Sequence, residues 1–100
     1  MKVSKLLEIT FSKKNGGMFR YHTWYPELAD IVEYRKRAKT LSAGVKSLVC
    51  FSYVIFIDHE IVVRCSEDFI DGELFSYSYK GCEIDEQAIK WYGSNVFKPF

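Results

Sequence analysis

The chain is poor in the residues that most often carry out chemistry. Its 100 residues include two histidines, three cysteines and two prolines. Imidazole catalysis therefore has only His22 and His59 to draw on. The cysteines, Cys50, Cys65 and Cys82, are odd in number and lack C-x-x-C spacing. That pattern argues against a disulfide framework and against a structural zinc site, and leaves buried, inert thiols as the expectation. A nucleophilic Cys65 beside Arg64 is a weaker reading, because neighbours on a strand point to opposite faces.

Charge of one sign is lacking too. Fourteen basic against thirteen acidic residues leave a formal charge of +1, without the strongly basic balance of a nucleic-acid binder. No apolar run spans a membrane: residues 48–57 are about half the length a transmembrane helix needs. The N-terminal M-K-V-S-K-L-L-E is broken by Glu8 before a signal-type apolar region can form. A cytoplasmic protein without membrane contact is expected. Nucleophile-elbow, P-loop, dinucleotide-binding, zincin and EF-hand motifs are all absent. The expectation is a non-enzyme with no cofactor and no metal.

What the chain has is core. Hydrophobic residues make up 48% and aromatics 17%, enough for one folded domain over residues 1–100. The first segment reads as a hairpin turning at Asn15-Gly16-Gly17, since Asn-Gly suits the positive φ of primed turns. Leu7, Ile9, Phe11, Phe19 and Tyr21 share a face if Phe11 lies opposite Tyr21 and Ile9 opposite Thr23. Residues 26–41 read as a helix, with Pro26 at the first helical position and an apolar stripe through Leu28, Ile31, Val32, Tyr34, Ala38 and Leu41. Ser42-Ala43-Gly44 is expected to end it. Two strands follow, joined at Asp58-His59, then a strand over 73–79 after an Asp71-Gly72 turn. A short helix over 85–92 comes next, with Asp85 as N-cap. Phe97 and Phe100 are expected to dock. The order β-β-α-β-β-β-α implies an α+β fold: a mainly antiparallel sheet of about five strands carrying one long and one short helix.

Candidate functional residues fall into three groups. Asp58, His59 and Glu60 could bind a metal or move a proton. Three adjacent residues at a turn splay apart, however, so the turn is the simpler reading. Arg35, Lys36, Arg37 and Lys39 could meet phosphate, although cations also suit a helix C-terminal half. Arg35 stands out, because it interrupts the apolar stripe and must snorkel, find a buried carboxylate or meet a partner. Phe75, Tyr77 and Tyr79 alternate with Ser76 and Ser78, so they form either core or an interface stripe, with core preferred.

In the 48–65 segment both faces are apolar. Cys50, Val54, Phe56, Ile61, Val63 and Cys65 are expected on one, and Phe51, Tyr53, Ile55, Ile57 and Val62 on the other. Both then require cover, and a shortfall would be an exposed patch of the kind that marks interfaces. These features imply a small protein-binding module; the chain's size and lack of catalytic motifs, rather than any residue, suggest the inhibitor, immunity or phage and mobile-element anti-defence kind, occluding a partner protein. A homodimer is a further expected assembly. Two alternatives stand beside it. One is nucleic-acid binding through the basic helix end and exposed tyrosines. The other is a small hydrolase or nuclease using His22 or His59 with nearby carboxylates.

Overall fold

Seven strands and one helix follow one another in a computed structural model that describes residues 1–12, 17–45, 47–87 and 97–99. They are β1 (Val3–Ser12), β2 (Met18–Trp24), α1 (Leu28–Val45), β3 (Val49–Ile57), β4 (Glu60–Ile70), β5 (Glu73–Lys80), β6 (Cys82–Ile84) and β7 (Phe97–Pro99). The first five strands form one antiparallel sheet in the order β2-β1-β3-β4-β5. The last two pair in a separate ribbon. The fold is α+β, an antiparallel five-stranded sheet with a helix packed on it. The Asn15-Gly16 turn, most of the expected 85–92 helix and Phe100 lie outside the described residues.

The turns form where their residues permit. Asp58 and His59 both have positive φ (49° and 70°), as do Asp71 and Gly72 (51° and 80°). Positive φ at both central positions is the primed turn that matches strand twist, so each pair closes a tight hairpin. Asp58 is also tied to the N-terminal strand: its carboxylate accepts from the Lys2 amide at 2.8 Å, and its own amide donates to the Lys2 carbonyl at 2.8 Å.

The helix begins two residues later and ends later than its stripe suggests. Glu27 precedes it, and Asp30 in the first turn accepts the Glu27 amide at 2.8 Å. This is the return half of a capping box, so Pro26 sits outside the helix rather than opening it. The helix continues through Ser42-Ala43-Gly44 because Ser42 is held on both sides. Its hydroxyl donates to the Lys39 carbonyl at 2.7 Å and accepts the Gly72 amide at 2.8 Å.

One face of the sheet carries the core. Leu7, Ile9 and Phe11 of β1, Val49, Phe51 and Tyr53 of β3, and Cys65 and Phe69 of β4 are buried against Ile31, Val32 and Ala38 of α1. The β1–β2 hairpin puts Phe19 and Tyr21 on this face, as expected, but Phe11 pairs with Phe19 and Ile9 with Tyr21. The five-residue connection from Ser12 to Met18 moves the register by two, which preserves the faces because side chains alternate with period two. Between β3 and β4 the expectation fails. Ile57 pairs with Glu60, but a bulge beside Ile55 and Phe56 leaves Tyr53, not Ser52, opposite Cys65. One extra residue exchanges the two faces of a strand. Cys65 therefore joins Phe51 and Tyr53 under the helix, while Cys50 lies on the other face.

Among the described residues, no helix covers that second face. It needs less cover than expected, because its centre is polar: Glu8, Thr10, Ser52, Ser66, Asp68, Ser76 and Ser78 occupy it by register. Ser76 donates to Asp68 at 2.7 Å. Apolar residues on this face gather at one end, where Leu6, Trp24, Val54, Phe56 and Ile61 lie near the Asp58-His59 turn.

Candidate protein-binding edges and the buried ion pair beneath them

Of the basic helix residues, Arg35 is withdrawn from any docking role. It is buried, and the buried carboxylate anticipated as one resolution of its position is Glu67, itself wholly excluded from solvent. Arg35 Nε donates to Glu67 Oε1 at 2.7 Å and Nη2 to Oε2 at 3.1 Å. The hydroxyl of Tyr79 donates to the same Oε2 at 2.8 Å. Glu86, beyond β6, adds an outer contact at 3.0 Å from Arg35 Nη2. The guanidinium also lies 5.9 Å from the Phe69 ring centroid. Burial works against the Arg35 charge, but the Glu67 hydrogen bonds, with the Glu67 and Glu86 charges, outweigh it and leave the Arg35 pKa raised. Burial, then the Glu67 hydrogen bond, hold Tyr79 protonated well above the ordinary tyrosine range. Among the described residues no buried side-chain nitrogen or oxygen is left without a partner, as a buried charge requires. This is a fastener between helix and sheet.

The remaining basic residues divide. Arg37 pairs with Glu33 at 3.1 Å and lies over the Tyr34 ring. Lys36 and Lys39 are exposed, on the flank of α1 that approaches the Gly72 turn and β5. The aromatic stripe divides as well. Tyr79 is partly buried by its tie to Glu67, but Phe75 is 70% and Tyr77 65% exposed. The preference for core therefore fails at two of three positions. The reason is that β5 is an outer strand and the helix sits over β1, β3 and β4.

Little supports chemistry at the remaining candidates. His22 pairs with Glu8 across β1 and β2, while Glu8 accepts an ion pair from Arg20. His59 occupies a turn, with Asp58 committed to Lys2. Among the described residues no group of three or more His, Cys, Asp or Glu could hold a metal ion. The thiols are poorly placed as nucleophiles. Cys65 is buried and its pKa is raised, chiefly by burial and then by the Glu67 charge. Cys50 is pushed up to about 11 by burial and by Asp68. Among the described residues no helix is long and apolar enough to cross a membrane.

A further exposed feature was not singled out from the sequence. Strand β2 is an outer strand in which every residue but Thr23 is exposed. Met18, Phe19, Tyr21 and Trp24 stand out from it, followed by Tyr25. On the helix side Phe19 and Tyr21 stack with each other and with Phe11, at centroid distances of 5.0–6.4 Å. On the open side Trp24 lines a cleft of about 270 Å³ with Lys2, Ser4, Phe56 and His59. Tyr25 has φ 54°, a conformation that costs a bulky residue about 1 kcal/mol or more. Its amide donates to the Lys5 carbonyl at 2.8 Å, which holds the turn there. The sequence signal was available: M-F-R-Y-H-T-W-Y is aromatic at both parities. A search of family models, a search of curated proteins and a search of solved structures each found no match for this chain.

Proposed function

We propose that this domain works by binding another protein, which adds an extended segment along β2. The observation that carries the reading is the exposure of four large apolar side chains on one edge strand that, among the described residues, pairs only with β1. An edge strand offers free backbone donors and acceptors to an incoming strand, and side-chain pockets at alternate positions give specificity. Tyr and Trp are the residues that interfaces favour, because each presents a large, stiff surface with one polar atom. The adjoining cleft, lined by Trp24, Phe56, Lys2, Ser4 and His59, accepts a side chain from such a segment. Apolar contact with Trp24 beside the Lys2 charge suits an aromatic or an acidic residue there. An inhibitor or immunity-type role agrees with the size of the chain and with the thin inventory of reactive groups.

Affinity capture from a source lysate, with and without nuclease, tests the proposal when run with the native chain beside a Tyr21→Ser, Trp24→Ser double variant. The expected result is a protein that survives nuclease, binds the native chain and is lost by the variant. Retention of every captured protein by the folded variant would remove β2 from the argument. Loss of all capture on nuclease treatment would favour the nucleic-acid reading instead.

A further inference from the structure

The opposite edge of the sheet has a different character. Strand β5 closes it, and between its terminal Glu73 and Lys80 it reads Leu74-Phe75-Ser76-Tyr77-Ser78-Tyr79, without a charge or a proline. Outer strands ordinarily carry lysine or proline to discourage further pairing. The inner part of the aromatic stripe is anchored, since Tyr79 is tied to Glu67 and the Tyr77 ring stacks on it at 4.9 Å. The outer part, Phe75 and Tyr77, is bare. The β4–β5 bulge falls at Phe75: Ser76 pairs with Asp68 and Leu74 with Phe69, so Phe75 has no partner on β4. The rest of β5 is regular.

We infer that β5 pairs antiparallel with β5 of a second copy of this chain, about a two-fold axis through Tyr77. A two-fold contact uses the same patch on both copies. In this register Tyr77 faces Tyr77 of the second copy, Phe75 faces its Tyr79, and Ser76 faces its Ser78. Directly opposed residues share a face, so six aromatic rings meet on the helix side and four serines on the open side. Centring the axis on Ser76 instead would oppose Tyr79 to Glu73 and break the aromatic set.

Charge complementarity supports the same arrangement. Exposed Asp71 and Glu73 stand at the start of β5. Exposed Lys80 stands at its end, opposite Arg64 of β4, and beyond it Glu83 is exposed while Glu86 is held by Arg35. A two-fold axis turns the strand end for end. The acidic start of each β5 then approaches the basic end of the other: Glu73 faces Gly81 of the second copy, beside its Lys80. The product is a ten-stranded sheet whose two outer strands are both β2, so it goes beyond the proposed function by making the binding edge bivalent.

Light scattering on the full chain, coupled to size exclusion, tests the pairing. The expected mass is twice 11.7 kDa. Tyr77→Lys, which opposes two lysines at the axis, is expected to halve it while leaving the far-UV spectrum unchanged. The Tyr21→Ser, Trp24→Ser variant is expected to remain dimeric, so failure of the pairing and failure of partner binding are separate outcomes. Mild oxidation of Tyr77→Cys is expected to yield a covalent dimer, since a residue facing its own copy is within disulfide reach. Phe75→Cys, which faces Tyr79, is not. A monomeric native chain at about 100 μM, a dimeric Tyr77→Lys, or cross-linking at 75 rather than 77 would overturn the inference.

Discussion

Arg35 on the helix and Glu67 on the sheet form a bidentate pair, at 2.7 and 3.1 Å, with the carboxylate fully removed from water. Such a pair is costly to break and cheap to replace. Removing one partner strands a buried charge, at about 3–5 kcal/mol, whereas exchanging both for apolar residues of similar volume is often neutral or better. Glu67→Ala and Arg35→Ala are each expected to lose stability in that range in urea unfolding. Arg35→Met combined with Glu67→Leu is expected to lose less than either single change. If the double variant is the least stable of the three, the pair contributes more than its desolvation cost.

The exposed pairs are a different case. Arg20 with Glu8 and Arg37 with Glu33 keep about half of each arginine side chain in solvent. Exposed ion pairs contribute roughly 0–1 kcal/mol. Arg20→Ala and Arg37→Ala are expected to shift the urea midpoint little, and added salt should reduce the difference further.

Three glycines should respond with opposite signs. A Cβ at Gly81 would lie 2.5 Å from the Val62 carbonyl oxygen, at φ 79°. Gly81→Ala is therefore expected to cost roughly 2 kcal/mol or more, combining clash with strain. At Gly72, φ is 80° but the nearest atom is at 3.7 Å, so strain alone should cost about 1 kcal/mol. Gly44 is helical with nothing within 4 Å. There alanine is expected to stabilise by about 0.5–1 kcal/mol. Thermal or urea unfolding of the three variants gives the order directly.

Tyr25 links strain to display. Tyr25→Gly removes the cost of its left-handed backbone, offset by the flexibility glycine adds to the unfolded chain. Stability is expected to change by less than about 1 kcal/mol, while capture of the protein partner falls. A large loss of stability would mean that the ring packs as structure.

Alkaline pH should weaken the fold. The Cys50 thiol titrates at about 11 when folded against 9.0 unperturbed, and Cys65, Cys82, Tyr53 and Tyr79 are shifted in the same direction. Below pH 9 both states hold the Cys50 proton. Above it the unfolded chain releases that proton first, so stability falls as pH rises from about 9 towards 11. Urea unfolding between pH 8 and pH 10.5 measures the slope, and Cys50→Ser should flatten it. At pH 8 the native thiols should react slowly with alkylating reagents, because thiolate is the reactive form.

Local chemistry made much of the architecture legible. Asp71-Gly72 is a strong turn pair because glycine accepts positive φ freely, while Asp58-His59, which has no glycine, is also held by its bonds to Lys2. The apolar stripe of residues 28–41 needs one covered side, so a helix on a sheet follows from the pattern. Arg35, interrupting the apolar stripe, had to snorkel, find a buried carboxylate or meet a partner, and the fold supplies the second. Which carboxylate it was, however, depended on the bulge between β3 and β4, a single inserted residue that carried Cys65 and Glu67 to the helix side.

The exposed aromatics show the same division. Alternation placed Phe75, Tyr77 and Tyr79 on one face, since period two is a property of the strand itself. Whether that face is covered depends on strand order. Pairing of β1 with β3, distant in sequence, put β1, β3 and β4 inside and left β2 and β5 outside, at the margin of the helix's cover. Residue types and spacings determined the elements and the parity of their faces. The tertiary structure alone decided which aromatics became core and which became edge, because burial depends on what a strand lies beside.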